Sequence, residues 1–349
     1  MTFKKEKGLV SIIIPTYNRK KDLDRCLRSV FKQSYKNKEV IVVDDCSSDD
    51  TNDYIRRRYL QVKIFVNKKN RGPNYCRNFG TVKSKGEYVL ILDSDVELVN
   101  KNQIRNMVNI INSDKKIGSL GGCFLPSDKK IRACNLKGPC FIDLEDKHLL
   151  KIKGFLLKEC DWIGSNNLFM KKELIYKLKG FDESTIGGET EFEVGMNLKQ
   201  QGFLNLFGKE IAVKHIHSSL ERDNIGIESK IAKRYVRETW TTRNRIKYLI
   251  KNASVIDKKT KKKIITLNFV RVPKQLISIL AFIKQQFLGL KTKDSQTIPS
   301  LKTKWKLLFL EILQFFLYVG LMFDSYIWNL IHYKQTIKSK EINFLDKKR

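Results

Sequence analysis

The stretch that most constrains this chain is Gly86-Glu87-Tyr88-Val89-Leu90-Ile91-Leu92-Asp93-Ser94-Asp95-Val96-Glu97-Leu98. Tyr88 to Leu92 is a continuous apolar run, too short for most helices and bounded by a glycine and by acids. That pattern reads as a strand buried on both faces of a parallel sheet. Two carboxylates, one residue apart, stand at its C-terminal end, where open α/β sheets place their ligands. Positions i and i+2 of an extended chain share a side, so Asp93 and Asp95 face one ligand together. Like charges this close favour a divalent cation, and oxygen ligands suit Mg or Mn. The alternative is a solvated acidic loop after a strand.

The flanking sequence repeats the theme. Leu9 to Ile14 predicts a first strand stopped by Pro15, and Val40 to Val43 a second that ends in Asp44-Asp45-Cys46-Ser47. Between them Leu23, Cys26, Leu27, Val30 and Phe31 mark one face of an amphipathic helix. Val62 to Val66 reads as a third strand, and a short helix around Tyr75 to Val82 follows the break at Gly72-Pro73. This alternation is that of a mostly parallel sheet wound with helices. After the acid-ended strand, Ile104, Met107, Val108 and Ile111 predict a helix and Ile117 to Phe124 an extended segment. Residues 125–158 have weak periodicity and read as a surface insertion with hairpins. Helices are then expected from Lys171 to Leu178 and through Phe192 to Leu198.

Composition enters through charge. The 349 residues carry a formal net charge of +31, which points to a polyanionic partner such as a membrane surface, nucleic acid or a phosphorylated substrate. Nucleic acid is the weaker choice, because no stripe of interleaved aromatics and lysines occurs in the first 250 residues. The seven cysteines form no C-x-x-C pair. With the polar start Met1 to Lys7, they lead to the expectation of a reducing cytosol and no signal peptide.

Six segments, taken in order, resemble the large inverting family 2 of glycosyltransferases, which has the GT-A fold. They are Val10-Ser11-Ile12-Ile13-Ile14-Pro15-Thr16-Tyr17-Asn18-Arg19, Val42 to Asp49, Arg77-Asn78-Phe79-Gly80, Leu92-Asp93-Ser94-Asp95, Gly180-Phe181-Asp182-Glu183 and Glu189-Thr190-Glu191. Together they cover roughly the first 220 residues. The resemblance implies metal-dependent transfer of a sugar from a nucleotide diphosphate donor, with a UDP-sugar favoured. It implies that Thr16, Tyr17, Asn18 and Asp45 line the nucleoside site, with Asp45 accepting an N–H from a pyrimidine ring, a charge-assisted bond. Asp44 is either part of that site or a turn acid. Arg77 either approaches the donor or is an ordinary exposed helix arginine. Asp93 is implied to meet the ribose and Asp95 to bind Mn or Mg, and His215 or His217 to complete the metal shell.

Inversion needs a base on the face opposite the leaving nucleotide. The family supplies it as the aspartate of a Glu-Asp pair, and this chain departs from that pattern. Counting back from Gly202 puts Thr190-Glu191 on the pair, whereas counting forward from Gly187-Gly188 puts Thr190 at the base position. Threonine is no base at neutral pH, so Glu191 is the expected base and Glu189 the competitor.

Composition shifts near residue 250. The expected domains are a catalytic domain over 1–250 and a basic, amphipathic helical extension over 251–349. The block Lys258-Lys259-Thr260-Lys261-Lys262-Lys263 precedes an apolar stripe at Leu276, Ile279, Leu280, Ile283, Phe287 and Leu288, then an aromatic-rich run from Trp305 to Tyr333. Three readings of that run stay open: an interfacial helix, a membrane span, or packing on the catalytic domain. The favoured one places the protein at the cytoplasmic face of a membrane, on an anionic surface, acting on a lipid-linked or envelope glycan. The rivals are a nucleotidyltransferase and a non-catalytic nucleotide-sugar or nucleic-acid binder.

Overall fold

The computed structural model describes residues 6–125, 149–164, 166–184 and 190–215, with single positions beyond. The chain divides into two compact units, Met1–Ser219 with Ile342–Arg349, and Leu220–Glu341.

The first unit is built on a ten-stranded sheet. Its elements in chain order are β1 Glu6–Thr16, α1 Lys20–Phe31, β2 Lys38–Asp44, α2 Thr51–Arg58, β3 Val62–Val66, α3 Pro73–Lys83, β4 Gly86–Leu92, β5 Val96–Leu98, α4 Gln103–Ile111 and β6 Ile117–Leu125. After these come β7 Leu149–Ile152, β8 Phe155–Cys160, β9 Asn167–Lys171, α5 Lys172–Lys177, α6 Thr190–Gln200 and β10 Leu204–His215. The spatial order is β3-β2-β1-β4-β9-β6-β10-β8-β7, with β5 paired to β10. The half formed by β3, β2, β1 and β4 is parallel throughout. Beyond it the sheet is mixed: β9 runs antiparallel to β4 and β6, while β6 and β10 pair in parallel.

Both faces of β1, β2 and β4 are covered over their central residues, which is why those runs are almost wholly apolar. In β1, Val10, Ile12 and Ile14 face one core with Leu23, Leu27 and Val30 of α1 and Ile104 and Met107 of α4. Ile13 faces the other, with Val89 and Ile91 of β4 and Leu174, Val194 and Leu198 of the later helices. Each such buried aliphatic contributes about 1.5–3 kcal/mol. The expected stop at Pro15 does not occur: β1 runs on to Thr16, with Pro15 in register with Val43. A central strand tolerates that proline at its very end, where few ladder bonds remain. Helix α2 and strand β5 went unforeseen. α2 buries only Thr51 and Ile55, too few positions to display a period.

Within the expected insertion, β7 and β8 form a hairpin. Lys153 (φ 51°) and Gly154 (φ 84°) make its two-residue turn, the left-handed pair that matches strand twist. Residues 126–148 lie outside the described set. In the second unit, Tyr248 and Ile256 are buried, with backbone bonds from Asn252 N–H to Tyr248 O and from Ile256 N–H to Asn252 O. Most of the expected tail segments lie outside the described residues. Gly320, Ile327 and Ile331 are helical and exposed. Among the described residues no helix is long and apolar enough to cross a membrane.

Candidate active site

The C-terminal ends of β1, β2 and β4 open into a cleft of about 370 Å³ lined by Thr16, Tyr17, Asp45, Arg77, Asp93 and Asp95, among others. That size suits a small-molecule site. Three connections shape its floor and walls.

The loop after β1 is laced to the loop after β2. Asn18 sits in the left-handed region (φ 50°), which asparagine tolerates better than other non-glycine residues. Its N–H donates to Ser47 Oγ at 2.8 Å, and its Oδ1 accepts the Ser48 N–H at 2.8 Å. The neighbouring Tyr17 is therefore held out at the cleft mouth, 48% exposed. Thr16 is buried, and its Oγ1 has no partner among the described residues.

The second connection is Asp45. Its Oδ1 accepts Asn67 Nδ2 and the Arg71 N–H, and its Oδ2 accepts the Gly72 N–H, all at 2.8 Å. The carboxylate thus pins the turn that starts α3 while still lining the cleft. Asp44 faces elsewhere. It accepts the Ser47 N–H at 3.1 Å and Ser47 Oγ at 2.5 Å, the turn-acid alternative for this residue. Burial pushes its carboxyl above the usual range, against the pull of those two bonds.

The third connection is a polar stripe on α3. Asn74, Arg77, Asn78 and Thr81 fall at i, i+3, i+4 and i+7 and are all buried. Arg77 is 6% exposed, so it is not a surface arginine. It donates to Asn74 Oδ1 at 2.8 Å and to Asp93 Oδ1 at 3.2 Å, and its Nη1 lies 3.5 Å from Glu191 Oε1. Asn74 also donates to the Asp182 carbonyl at 3.0 Å and to Thr190 Oγ1 at 2.6 Å. Asn78 donates to the Phe181 carbonyl and to Glu183 Oε1, and accepts the Phe181 N–H. The Gly180 to Glu183 turn and the first turn of α6 are thereby drawn to the end of β4.

Glu191 lies in the first turn of α6 and is buried. Glu189 and His217 lie outside the described residues. His215 closes β10, its backbone paired with Val96, the residue after Asp95. The side chain of Asp93 is 33% exposed. Enclosure in the site pushes its carboxyl up, Arg77 pulls it down, and Asp95 and Glu191 push it further up. Carboxylates that repel one another at a cleft are a donor set that suits a hard divalent cation. Arg19 already supplies a positive charge there, its guanidinium ion-paired with Asp95. Among the described residues no cluster of three or more His, Cys, Asp or Glu side chains forms a closed metal cage. A cation on Asp93 and Asp95 would draw the rest of its shell from other donors, phosphate and water among them, as magnesium commonly does.

Asn74 and Arg19 were missed from the sequence. For Asn74 a signal was present: a helix whose i, i+3, i+4, i+7 stripe is polar rather than apolar is burying chemistry. For Arg19 none was, because its partner is 76 residues away.

Comparison with known proteins agrees with this architecture. Residues 11–159 match the model for glycosyl transferase family 2. A GalNAc(5)-diNAcBac-PP-undecaprenol beta-1,3-glucosyltransferase of Campylobacter jejuni is 38% identical over 94 residues, 26% of this chain and 30% of its own. A UDP-Glc:alpha-D-GlcNAc-diphosphoundecaprenol beta-1,3-glucosyltransferase of Escherichia coli is 34% identical over 121 residues, 34% of this chain and 48% of its own. The chain thus spans less than half the length of these relatives. Among solved structures, a mannosyltransferase from Pyrobaculum calidifontis in complex with GDP-Man and Mn2+ shares the fold. Its TM-score is 0.58 at 17% identity, over 97% of this chain and 88% of that one.

Proposed function

We propose, from the match of residues 11–159 to glycosyl transferase family 2 and the shared GT-A fold, that this chain performs an inverting transfer of a sugar from a nucleoside diphosphate to a lipid-linked or envelope glycan. The observation that carries the reading is the double contact of Arg77, whose two terminal nitrogens reach Asp93 and Glu191. One buried guanidinium sets a donor-side acid and a candidate base in fixed relation.

In this reading the nucleoside lies against Thr16, Tyr17, Asn18 and Asp45, with UDP the favoured nucleotide. The Thr16 hydroxyl, without a partner among the described residues, and the Asp45 carboxylate are the groups that would read it. Asp93 meets the ribose. Asp95, Asp93 and a histidine from His215 or His217 would hold Mn or Mg, which neutralises charge on the leaving diphosphate. Glu191 accepts the acceptor hydroxyl proton as the oxygen attacks the anomeric carbon from the face opposite the nucleotide. Arg77 keeps Glu191 aimed.

The acceptor assignment draws on the printed names of the two relatives, both of which act on undecaprenol-diphosphate glycans, and on the basic chain beyond residue 250. Ile327 and Ile331 are apolar, helical and exposed. That supports peripheral attachment at the cytoplasmic face of the membrane.

The test is release of free nucleotide from UDP-sugars in the presence of Mn, with and without an undecaprenol-diphosphate glycan. The wild type is expected to turn over, and Asp95→Ala to lose at least about a hundredfold while keeping its fold. Full activity of that variant, or of the wild type in excess EDTA, overturns the metal assignment.

A further inference from the structure

We propose that Arg19 and a divalent cation compete for Asp95, and that the displaced guanidinium then grips the diphosphate of the donor. The proposal rests on reading the cleft as a nucleoside-diphosphate-sugar site.

Three observations carry it. The first is the asymmetry of the pair. Arg19 Nη1 is bonded to Asp95 Oδ2, yet the arginine side chain is 42% exposed and the aspartate 12%. The carboxylate is fixed in the cleft wall, while the cation on it reaches in from solvent.

The second is that the backbone of Arg19 is anchored independently of its side chain. Its carbonyl accepts the Leu23 N–H at 2.9 Å, the first bond of α1. The preceding Asn18 is stitched to Ser47 and Ser48. No side-chain bond of Arg19 caps the helix. Rotation about its side-chain torsions therefore moves the guanidinium without disturbing the loop.

The third is the supply of negative charge within reach. Among the described residues the other acid paired with Arg19 is Asp22, 3.9 Å from Nη1, and Asp22 is already engaged by Arg25 at 2.5 Å. When a divalent cation settles on Asp95, a guanidinium on the same carboxylate is repelled. The strongest acceptor then offered in the cleft, which Arg19 also lines, is the diphosphate. A planar guanidinium can bind it through two parallel N–H bonds. Until then Arg19 serves Asp95 as counter-ion, sparing the wall an uncompensated buried charge. Metal and donor would thus bind in a coupled order.

The experiment measures Mn binding from the loss of the free-ion electron paramagnetic resonance signal, and UDP binding by calorimetry in saturating Mn. The proteins are the full chain and its Arg19→Ala, Arg19→Gln, Arg19→Lys and Asp95→Ala variants. Both neutral replacements are expected to bind Mn alone about fivefold or more tighter, yet bind UDP about tenfold weaker. Arg19→Lys, charged but without the planar fork, should keep wild-type Mn affinity and lose part of the UDP affinity. Opposite signs for the two ligands are the signature, and a general loss of structure would weaken both. Unchanged or weaker Mn binding in both neutral variants overturns the competition. Tighter Mn with unchanged UDP overturns the diphosphate grip. If Asp95→Ala binds Mn like the wild type, the metal site itself is wrongly placed, a failure distinct from either.

Discussion

Asp93 and Asp95 line one cleft and Glu191 is joined to it through Arg77, and gathering like charges together is unfavourable unless cations compensate. Arg77 and Arg19 provide that compensation from opposite sources, one buried on a helix and one reaching in from solvent. The base assignment follows from this arrangement. Glu191→Gln is expected to lower kcat about a hundredfold or more while leaving UDP affinity near that of the wild type, as read by single-turnover kinetics and calorimetry. If Glu189→Gln shows that profile and Glu191→Gln stays active, the base is Glu189. A second carboxylate acts on stability alone. Glu39 accepts Ser11 Oγ, Lys63 Nζ and the Lys85 N–H, each at 2.6 Å, so one side chain on β2 binds β1, β3 and the entry to β4. Burial would raise its carboxyl, but Lys63, Ser11 and Lys85 outweigh that and hold it below the ordinary range. A depressed folded value means stability that is present above the unfolded pKa near 4.5 and lost as pH falls through the folded one. Glu39→Gln should therefore destabilise by about 2 kcal/mol at pH 7. In urea titrations the deficit should shrink steadily below pH 4.5; a deficit unchanged at low pH contradicts this account.

Among the elements, β10 repays attention because it leaves its ladder on purpose. Its pairing with β6 shifts register between Gly208 and Val213. Within that bulge the Ile211 carbonyl accepts Gln103 Nε2 at 2.9 Å and Asn167 Nδ2 at 2.7 Å instead of a strand partner. Bulges of this kind re-aim a strand, and they gather near active sites. Here the re-aimed end pairs with β5 and brings His215 level with Val96, beside Asp95. The bulge demands a glycine opposite: a Cβ on Gly122 would lie 1.8 Å from the Ile211 oxygen. Backbone cannot yield as a side-chain tip can. Gly122→Ala is expected to destabilise by about 3 kcal/mol and to weaken Mn binding by moving the end of β10. Gly154→Ala is the control. It has open space around it but a φ of 84°, so it should lose only about 1 kcal/mol and leave Mn binding intact. Equal losses in the two variants would show that the bulge is not what Gly122 serves.

For the whole molecule the governing quantity is the net charge of +31. Charge of that size acts on association rather than on fold. Near an anionic bilayer each basic residue contributes about 1 kcal/mol, falling off within a Debye length. The full chain is accordingly expected to sediment with phosphatidylserine or cardiolipin vesicles at low salt and to be released by high salt. Replacing the five lysines of Lys258 to Lys263 with glutamine should weaken that binding severalfold or more without touching nucleotide release from a soluble UDP-sugar. Retention that resists high salt and alkaline carbonate, and yields only to detergent, would instead mark a spanning segment.

What the sequence determined by itself is whatever rests on local pattern. Doubly covered strands are apolar at nearly every position, so β1, β2 and β4 were legible from their apolar runs, and the acids ending β4 marked the ligand edge. The amphipathic stripe of α1 was legible for the same reason. What only the tertiary structure decided is whatever depends on partners distant in the chain. The burial of Arg77, the capture of Asp45 by the Arg71 and Gly72 amides, and the union of Arg19 with Asp95 have no local signature. An arginine or aspartate in sequence is equally at home in water, and only the elements packed against it settle whether its charge is solvated or paired. The mixed half of the sheet was hidden likewise, since strand direction follows from the connections between strands, while hydrophobic pattern records burial alone.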